Sequence, residues 1–334
     1  CYNLLYSYKI INMYEIKFNK LGAPSKELHV CKISEHKDLK PDEVLIEVLY
    51  FPINPADLLL VEGKYSEAPA LPSKIGAECI AKVKKLGSNV KKFNLGDIVL
   101  PLTRENWVSE IIIKEDNLIK LNKNIDLQQA SMLKVNPATA YLMLNNYINV
   151  NKGDYIIQNA ANSGVGNYII QLSKIYGIKT INLVRRKNLI DELIKLGADH
   201  VYDINNIKEN KDFIKKFNSK LFIDAVAGPK VNEIISLLPN NCTIINYGLL
   251  SGKNITIDPH YLIFKNITLK GFWLSLWLMK MSQSEKENLY SHLADLIITK
   301  KIFTKVQKIF HITEINRAVK LASSYYRSGK ILVS

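Results

Sequence analysis

The sequence predicts an α/β protein, a doubly wound parallel sheet inserted into a β-rich, barrel-like domain. Three observations carry this prediction. From Tyr155 to Trp273 short apolar strands alternate with amphipathic helices, as in a parallel sheet built of βαβ units. From Met13 to about Ala130 the chain instead gives short strands with half-buried alternation and regular turn signals. After Leu274 the elements are too few to stand alone, so they are expected to return to the first domain. The expected division is residues 1–130 with 272–334 as one discontinuous domain, and 131–271 as the cofactor-type domain within it.

Each element has a local reason. VLIEVLYFPIN (Val44 to Asn54) is a strand running into a turn at Pro52 and Pro55, and ECIAKVKKLG (Glu78 to Gly87) alternates apolar and polar residues. FNLGDIVLPL (Phe93 to Leu102) puts Gly-Asp at a turn before a strand, and WVSEIIIKEDNLIKL (Trp107 to Leu121) continues the series. Leu127 to Tyr147 has helical spacing interrupted at Asn136-Pro137, where proline suits the first turn of a new helix. Later come strands at Leu221 and Thr243, a helix at Val231 and a last parallel strand in NITLKGFW (Asn266 to Trp273). A polar helix (Ser282 to Lys300), a strand (Lys305 to Phe310), a helix (Thr313 to Tyr325) and a strand (Lys330 to Val333) end the chain.

Composition narrows the function classes. No run of eighteen apolar residues occurs, so no membrane-spanning helix and no membrane partner are expected. The formal charge of +14 invites a nucleic-acid reading, but the lysines are spread among acids over the whole length, with only scattered pairs such as Lys84/Lys85 and Lys300/Lys301. A compositional bias toward Lys, Ile and Asn accounts for that pattern better than a nucleic-acid partner does. The four cysteines lack CxxC spacing, which fits a reducing compartment and no structural zinc. Residues 1–12, CYNLLYSYKIIN, carry no arginine and one lysine and make a poor targeting segment. They are read as extraneous to the fold, which starts with MYEIKF.

The centre of the chain is Tyr155 to Arg186: a strand, a small-residue turn, a helix stopped by Gly177, and a second strand ending in Val184. This is the βαβ unit of a dinucleotide-binding domain, in which a tight turn lets a pyrophosphate approach the N–H groups of a helix N-terminus. The turn departs from GxGxxG. With Gly166 as the third glycine, Ala161 and Ser163 hold the first two places; both are small, so close approach stays possible. About twenty residues on, where a carboxylate would bind the ribose 2′-hydroxyl of NAD, stand Arg185 and Arg186. Guanidinium groups suit a 2′-phosphate, so NADPH is the expected cofactor. Arginines on a strand end as ordinary surface residues are the plainer alternative.

NAANSGVGNYIIQ followed by KTINLVRR, NPADLLLVEGKY (Asn54 to Tyr65), VNPATAYLML (Val135 to Leu144) and LIFKNITLKGFWLSLW (Leu262 to Trp277) resemble the 2-enoyl thioester reductases of the medium-chain dehydrogenase/reductase superfamily. The resemblance spans nearly the whole chain from Met13. NSGVG and GFWLSxW mark that branch, whereas the quinone-reductase branch usually shows AAxGGVG. It implies a GroES-like catalytic domain beside a Rossmann cofactor domain, and NADPH-dependent reduction of trans-2-enoyl-CoA or enoyl-acyl carrier protein in fatty acid synthesis. It also implies a homodimer. The positive charge would suit such anionic substrates. Zinc-dependent relatives carry GHE where this chain has Gly76-Ala77-Glu78, so no metal is expected.

The same resemblance assigns residues. Tyr65 matches the proton donor, and a phenol keeps a proton to give at neutral pH. Asn54 and Trp273 would touch substrate, with Trp273 lining the acyl pocket. Thr139, Asn162, Ser163, Gly164, Val165, Gly166, Arg185, Arg186, Tyr247, Gly248, Phe272, Trp273 and Leu274 would hold the cofactor. Plainer readings remain open for several: Asn54 and Asp57 as turn-shaping residues, Thr139 as a helix start, the Phe272-Trp273 pair as core. The rivals for the whole chain are an NADPH-dependent quinone or enone reductase and, from another class, an NADPH-sensitive RNA- or partner-binding protein. A bacterial source would place the chain in the cytoplasm, the reading favoured by its N-terminus; a eukaryotic source would place it in the mitochondrial matrix.

Overall fold

The computed structural model describes residues 12–34, 38–66, 68–207, 209–324 and 327–334, and the chain divides into two units. One runs to Lys134 and resumes at Lys305–Ser334; the other is Val135–Thr304. The first twelve residues of the sequence reading therefore lie, save Asn12, outside the described residues.

In the first unit, strands Val306–Phe310, Lys330–Val333, Glu43–Pro52, Ile80–Leu86, Ile98–Pro101 and Leu118–Lys120 lie side by side in that order, with Glu110–Lys114 also paired to Glu43–Pro52. A second sheet sets Met13–Phe18 between Leu28–Ile33 and Ser73–Lys74. The core between them includes Ile16, Phe18, Phe51, Ile53, Trp107, Phe310 and Val333. Phe51 and Trp107 stack with ring centroids 5.3 Å apart. Burying each such side chain stabilises the unit by about 1.5–3 kcal/mol. The last strand matters most for the site. Leu332 and Val333 pair antiparallel with Pro52 and Phe51, which delivers Lys330 to Asn54 at the start of the helix Pro55–Val61.

The second unit is a six-stranded parallel sheet ordered His200–Asp203, Lys179–Val184, Tyr155–Gln158, Leu221–Asp224, Thr243–Asn246, Thr268–Gly271. This is the doubly wound order whose reversal point, beside the first strand, is where dinucleotides bind in such sheets. Apolar clusters cover the sheet: Ile157, Ile181, Phe222 and Ile244 with the helix Pro229–Leu237, and Ala161, Ile170, Val184 and Leu193 with the helix Gly164–Tyr176. Strands covered on both faces read as continuous apolar runs, as these do.

The C-terminal limit of the second unit differs from the expected 271. Residues 272–304 belong with it: the helix Gln283–Ile298 packs on the helix Asn136–Asn145, and Phe303 exchanges two hydrogen bonds with the Gln171 side chain, at 2.9 and 3.0 Å. A helix that polar carries little pattern to say which core it covers.

Candidate active site

In the first unit, Asn54 caps the helix Pro55–Val61, with proline in the first turn and Asp57 closing a capping box. Asp57 is fully buried. One of its carboxylate oxygens accepts the Asn54 N–H and the other the Ala77 N–H, both at 2.9 Å. Burial nonetheless pushes its carboxyl above the usual range, against those two bonds and the nearby Arg104 cation. The Asn54 amide donates to Glu78 Oε1 at 2.7 Å and accepts from the buried Lys330 ammonium. Asn54 and Asp57 thus shape this turn, as the plainer reading has it, and Asn54 also joins a buried charged cluster.

A second buried lysine stands beside them. Lys134 donates to the carbonyls of Ala77 and Thr103, at 2.7 and 2.6 Å. Burial pulls both Lys134 and Lys330 down to about 8, opposed in each case chiefly by the Glu78 charge. Gly76 makes the crossing possible. Its φ is +120°, and a Cβ there would meet the Trp107 N atom at 2.5 Å, so only glycine lets the 106–107 backbone bond to Ile75 and Gly76. The half-buried Tyr65 lies next to this scaffold, with the Arg104 guanidinium carbon 5.2 Å from its ring centroid.

In the second unit, Ser163 is the N-cap of the thirteen-residue helix Gly164–Tyr176, and its hydroxyl accepts the Gly166 N–H at 3.0 Å. A Cβ on Gly166 would lie 2.5 Å from the Ala161 carbonyl; the third glycine of the fingerprint is needed for backbone passage. Tyr247 hydrogen-bonds Ser163, and burial outweighs that bond in holding its phenol up. Asn136 approaches the same turn, 3.3 Å from where a Gly164 Cβ would stand. Arg185 is exposed and Arg186 half-buried, directly after the strand Lys179–Val184. The cradle thus has the small residues, helix N-terminus and cations that a phosphorylated dinucleotide requires.

The remaining expected residues are placed as follows. Thr139 is buried in the helix Asn136–Asn145, within its first turn. Gly248 follows Tyr247 after the strand Thr243–Asn246. Phe272 is buried, its N–H bonded to the Asn246 carbonyl at 2.9 Å. Trp273 is 42% exposed and starts the helix Leu274–Lys280, so it is not the core residue that bare composition allows. Asn162 lies in the turn between Ala161 and Ser163. Asn54 and Tyr65 belong to the first unit and the expected cofactor residues to the second. Sequence reasoning missed Glu78, Arg104, Lys134, Asn136 and Lys330. A lysine inside the apolar run SMLKVNPATA was the available signal for Lys134.

Among the described residues no group of three His, Cys, Asp or Glu side chains could hold a metal ion, and no helix is long and apolar enough to cross a membrane. Comparison with known proteins gives two family models: an alcohol dehydrogenase GroES-like domain over residues 40–116 and a zinc-binding dehydrogenase domain over 164–293. The chain is 35% identical to a mitochondrial enoyl-[acyl-carrier-protein] reductase of Dictyostelium discoideum, over 88% of this chain and 87% of the relative. A Bacillus thuringiensis structure assigned as an NADPH:quinone reductase superposes with TM-score 0.90 at 27% identity, covering 97% of this chain and 99% of that one. The mitochondrial 2-enoyl thioester reductase heterodimer of Candida tropicalis gives 0.89 at 28%, covering 97% and 100%. A complex of Etr1p with NADP and crotonyl-CoA gives 0.89 at 26%, with the same coverage. The sequence relatives are eukaryotic mitochondrial proteins, so the preference for a bacterial cytoplasm gains no support from them.

Proposed function

This chain belongs to the enoyl thioester reductase family of the medium-chain dehydrogenases and reductases, and on that premise we infer that it reduces the C2=C3 bond of trans-2-enoyl thioesters with NADPH. The observation that carries the reading is that the likeness to enoyl reductases extends over both units rather than over the cofactor fold alone. Family and cofactor fit the residues present: a helix N-terminal turn of small residues with Gly164 and Gly166, and two arginines after the next strand.

When bound, NADPH supplies a hydride from nicotinamide C4 to C3 of the acyl chain. Tyr65 gives its phenolic proton to C2, and the site must stabilise the enolate that exists between the two events. Asn162, Ser163, Gly164, Val165 and Gly166 would hold the pyrophosphate at the helix N-terminus, and Arg185 and Arg186 the 2′-phosphate. Tyr247 and Gly248 flank it at the ends of the parallel strands. Thr139, Phe272, Trp273 and Leu274 would lie by the nicotinamide, Trp273 also bounding the acyl pocket, and Asn54 would orient the substrate from the frame it shares with Glu78 and Lys330. The carrier is coenzyme A or an acyl carrier protein, the assembly a homodimer, and the location the mitochondrial matrix.

The test is oxidation of NADPH by the purified chain across a chain-length series of trans-2-enoyl-CoA substrates, with a small benzoquinone in parallel. Turnover of the enoyl thioesters is expected. Turnover of the quinone alone would assign the chain to the quinone-reductase reading that its likeness to the Bacillus structure favours.

A further inference from the structure

We propose that Arg104 is a substrate-contacting residue of this reduction, its guanidinium bonding the thioester oxygen on which negative charge develops. The proposal rests on the reading of Tyr65 as the proton donor. Arg104 lies in the loop between the strands Ile98–Pro101 and Glu110–Lys114. Its guanidinium carbon is 5.2 Å from the Tyr65 ring centroid, and its Nη2 atom is buried with no hydrogen-bond partner among the described residues. A buried guanidinium nitrogen without an acceptor is costly, and native interiors keep such groups where something else completes them.

The surroundings anchor the loop that carries the cation and leave its Nη2 without a partner among the described residues. The Thr103 carbonyl, one residue before, accepts from the Lys134 ammonium at 2.6 Å and from the Asn106 amide at 2.8 Å. Asn106 and Trp107 are in turn bonded to Gly76 and Ile75. Arg104 is therefore fixed by the backbone just before it and just after it. Asp57, a carboxyl that feels its charge, uses its two oxygens on the N–H groups of Asn54 and Ala77. Lys134 adds a like charge. The result is a preorganised positive group beside the proton donor, short of one anion.

The reaction creates that anion. Hydride enters at C3, the π pair of C2=C3 shifts toward C2 and the thioester carbonyl, and the oxygen takes up the charge. When Tyr65 passes its proton to C2, the carbonyl reforms, and the phenolate left behind recovers a proton from water. Arg104 bonds the oxygen between these events and exchanges no proton, since a guanidinium stays protonated. A donor aimed at transition-state charge raises kcat rather than lowering KM.

The test compares wild type with Arg104→Ala and Arg104→Lys, measuring kcat and KM for an enoyl-CoA, NADPH affinity by fluorescence, and thermal unfolding. The expected result for Arg104→Ala is a fall in kcat of about 10²–10³-fold with KM and NADPH affinity nearly unchanged, and recovery of kcat on adding millimolar guanidinium. Arg104→Lys, which keeps charge and bulk, is expected to retain part of the rate and supplies the measurement if the alanine variant does not fold. An unchanged kcat, a change in KM alone, or a lost kcat that guanidinium leaves untouched while unfolding shifts downward would each overturn the proposal. A wild-type chain that reduces no enoyl thioester removes the proposed function and this role together; an active wild type with a fully active Arg104→Ala removes this role alone.

Discussion

The two units solve the problem of a polar interior in opposite ways. In the first, the polar interior includes Asp57, Glu78, Lys134 and Lys330, all buried and all ionisable. In the second, the strand ends are tied by amides: Gln158 donates to Asn182 at 2.7 Å, Asn159 to Asp224 at 2.6 Å, and Asn246 to Asp224 at 2.8 Å. There Asp224, the one buried carboxylate of that unit among the described residues, accepts from neutral donors that include the Val226 and Ala227 N–H groups. A network of amides around one carboxylate fixes backbone shape, which suits a cradle that would present N–H groups to phosphate. A charged network costs more to bury but places fixed fields near a proton donor. Chemistry is thus expected to fail through the first unit and binding through the second.

The largest effect should separate them most cleanly. Tyr65→Phe is expected to lower turnover by about 10²–10⁴-fold while NADPH titration curves superpose on wild type; normal turnover would move the acid elsewhere. Arg185→Asp should do the converse. NADPH affinity should fall about 10–100-fold, the order expected for losing a charge-assisted bond to phosphate, with NADH affinity barely moved. Equal weakening of both nucleotides would end the 2′-phosphate role.

The smallest effect concerns Lys134. Its pKa is about 8 in the folded chain against an ordinary 10.5, so between those values the unfolded chain binds more protons at this position and stability should rise with pH. Denaturant unfolding of wild type and Lys134→Met at pH 7, 8 and 9 isolates this contribution. The wild-type advantage should grow from pH 8 to 9, and a flat difference would mean that the ammonium is not held at a cost.

Periodicity in the sequence was enough for the parallel sheet, because strands buried on both faces and helices with one apolar stripe leave a pattern in consecutive residues. The turn at Ser163 to Gly166 was visible for the same reason: the Ser163 hydroxyl caps Gly166, three residues on. The charged scaffold was not. Lys134 bonds carbonyls 57 and 31 residues away, and a carbonyl carries no residue-type signal. Arg104 reads as an ordinary loop residue until Tyr65 is placed beside it. Family motifs named Tyr65 and Asn54, while the residues that hold them came only from the fold.

Lys330 meets Asn54 across 276 positions of sequence, and the strand that carries it also pairs with Phe51 and Pro52. On a ribosome, therefore, the first unit cannot close its main sheet until Val333 has been made, whereas the second unit's strands are all complete by Gly271. The cofactor-type unit is free to fold first and to bring the two halves of its host toward each other, converting a very long loop closure into a short one. Loss of Lys330–Ser334 would then unpair Phe51 and Pro52 near the start of the chain as well as the neighbouring strand Val306–Phe310.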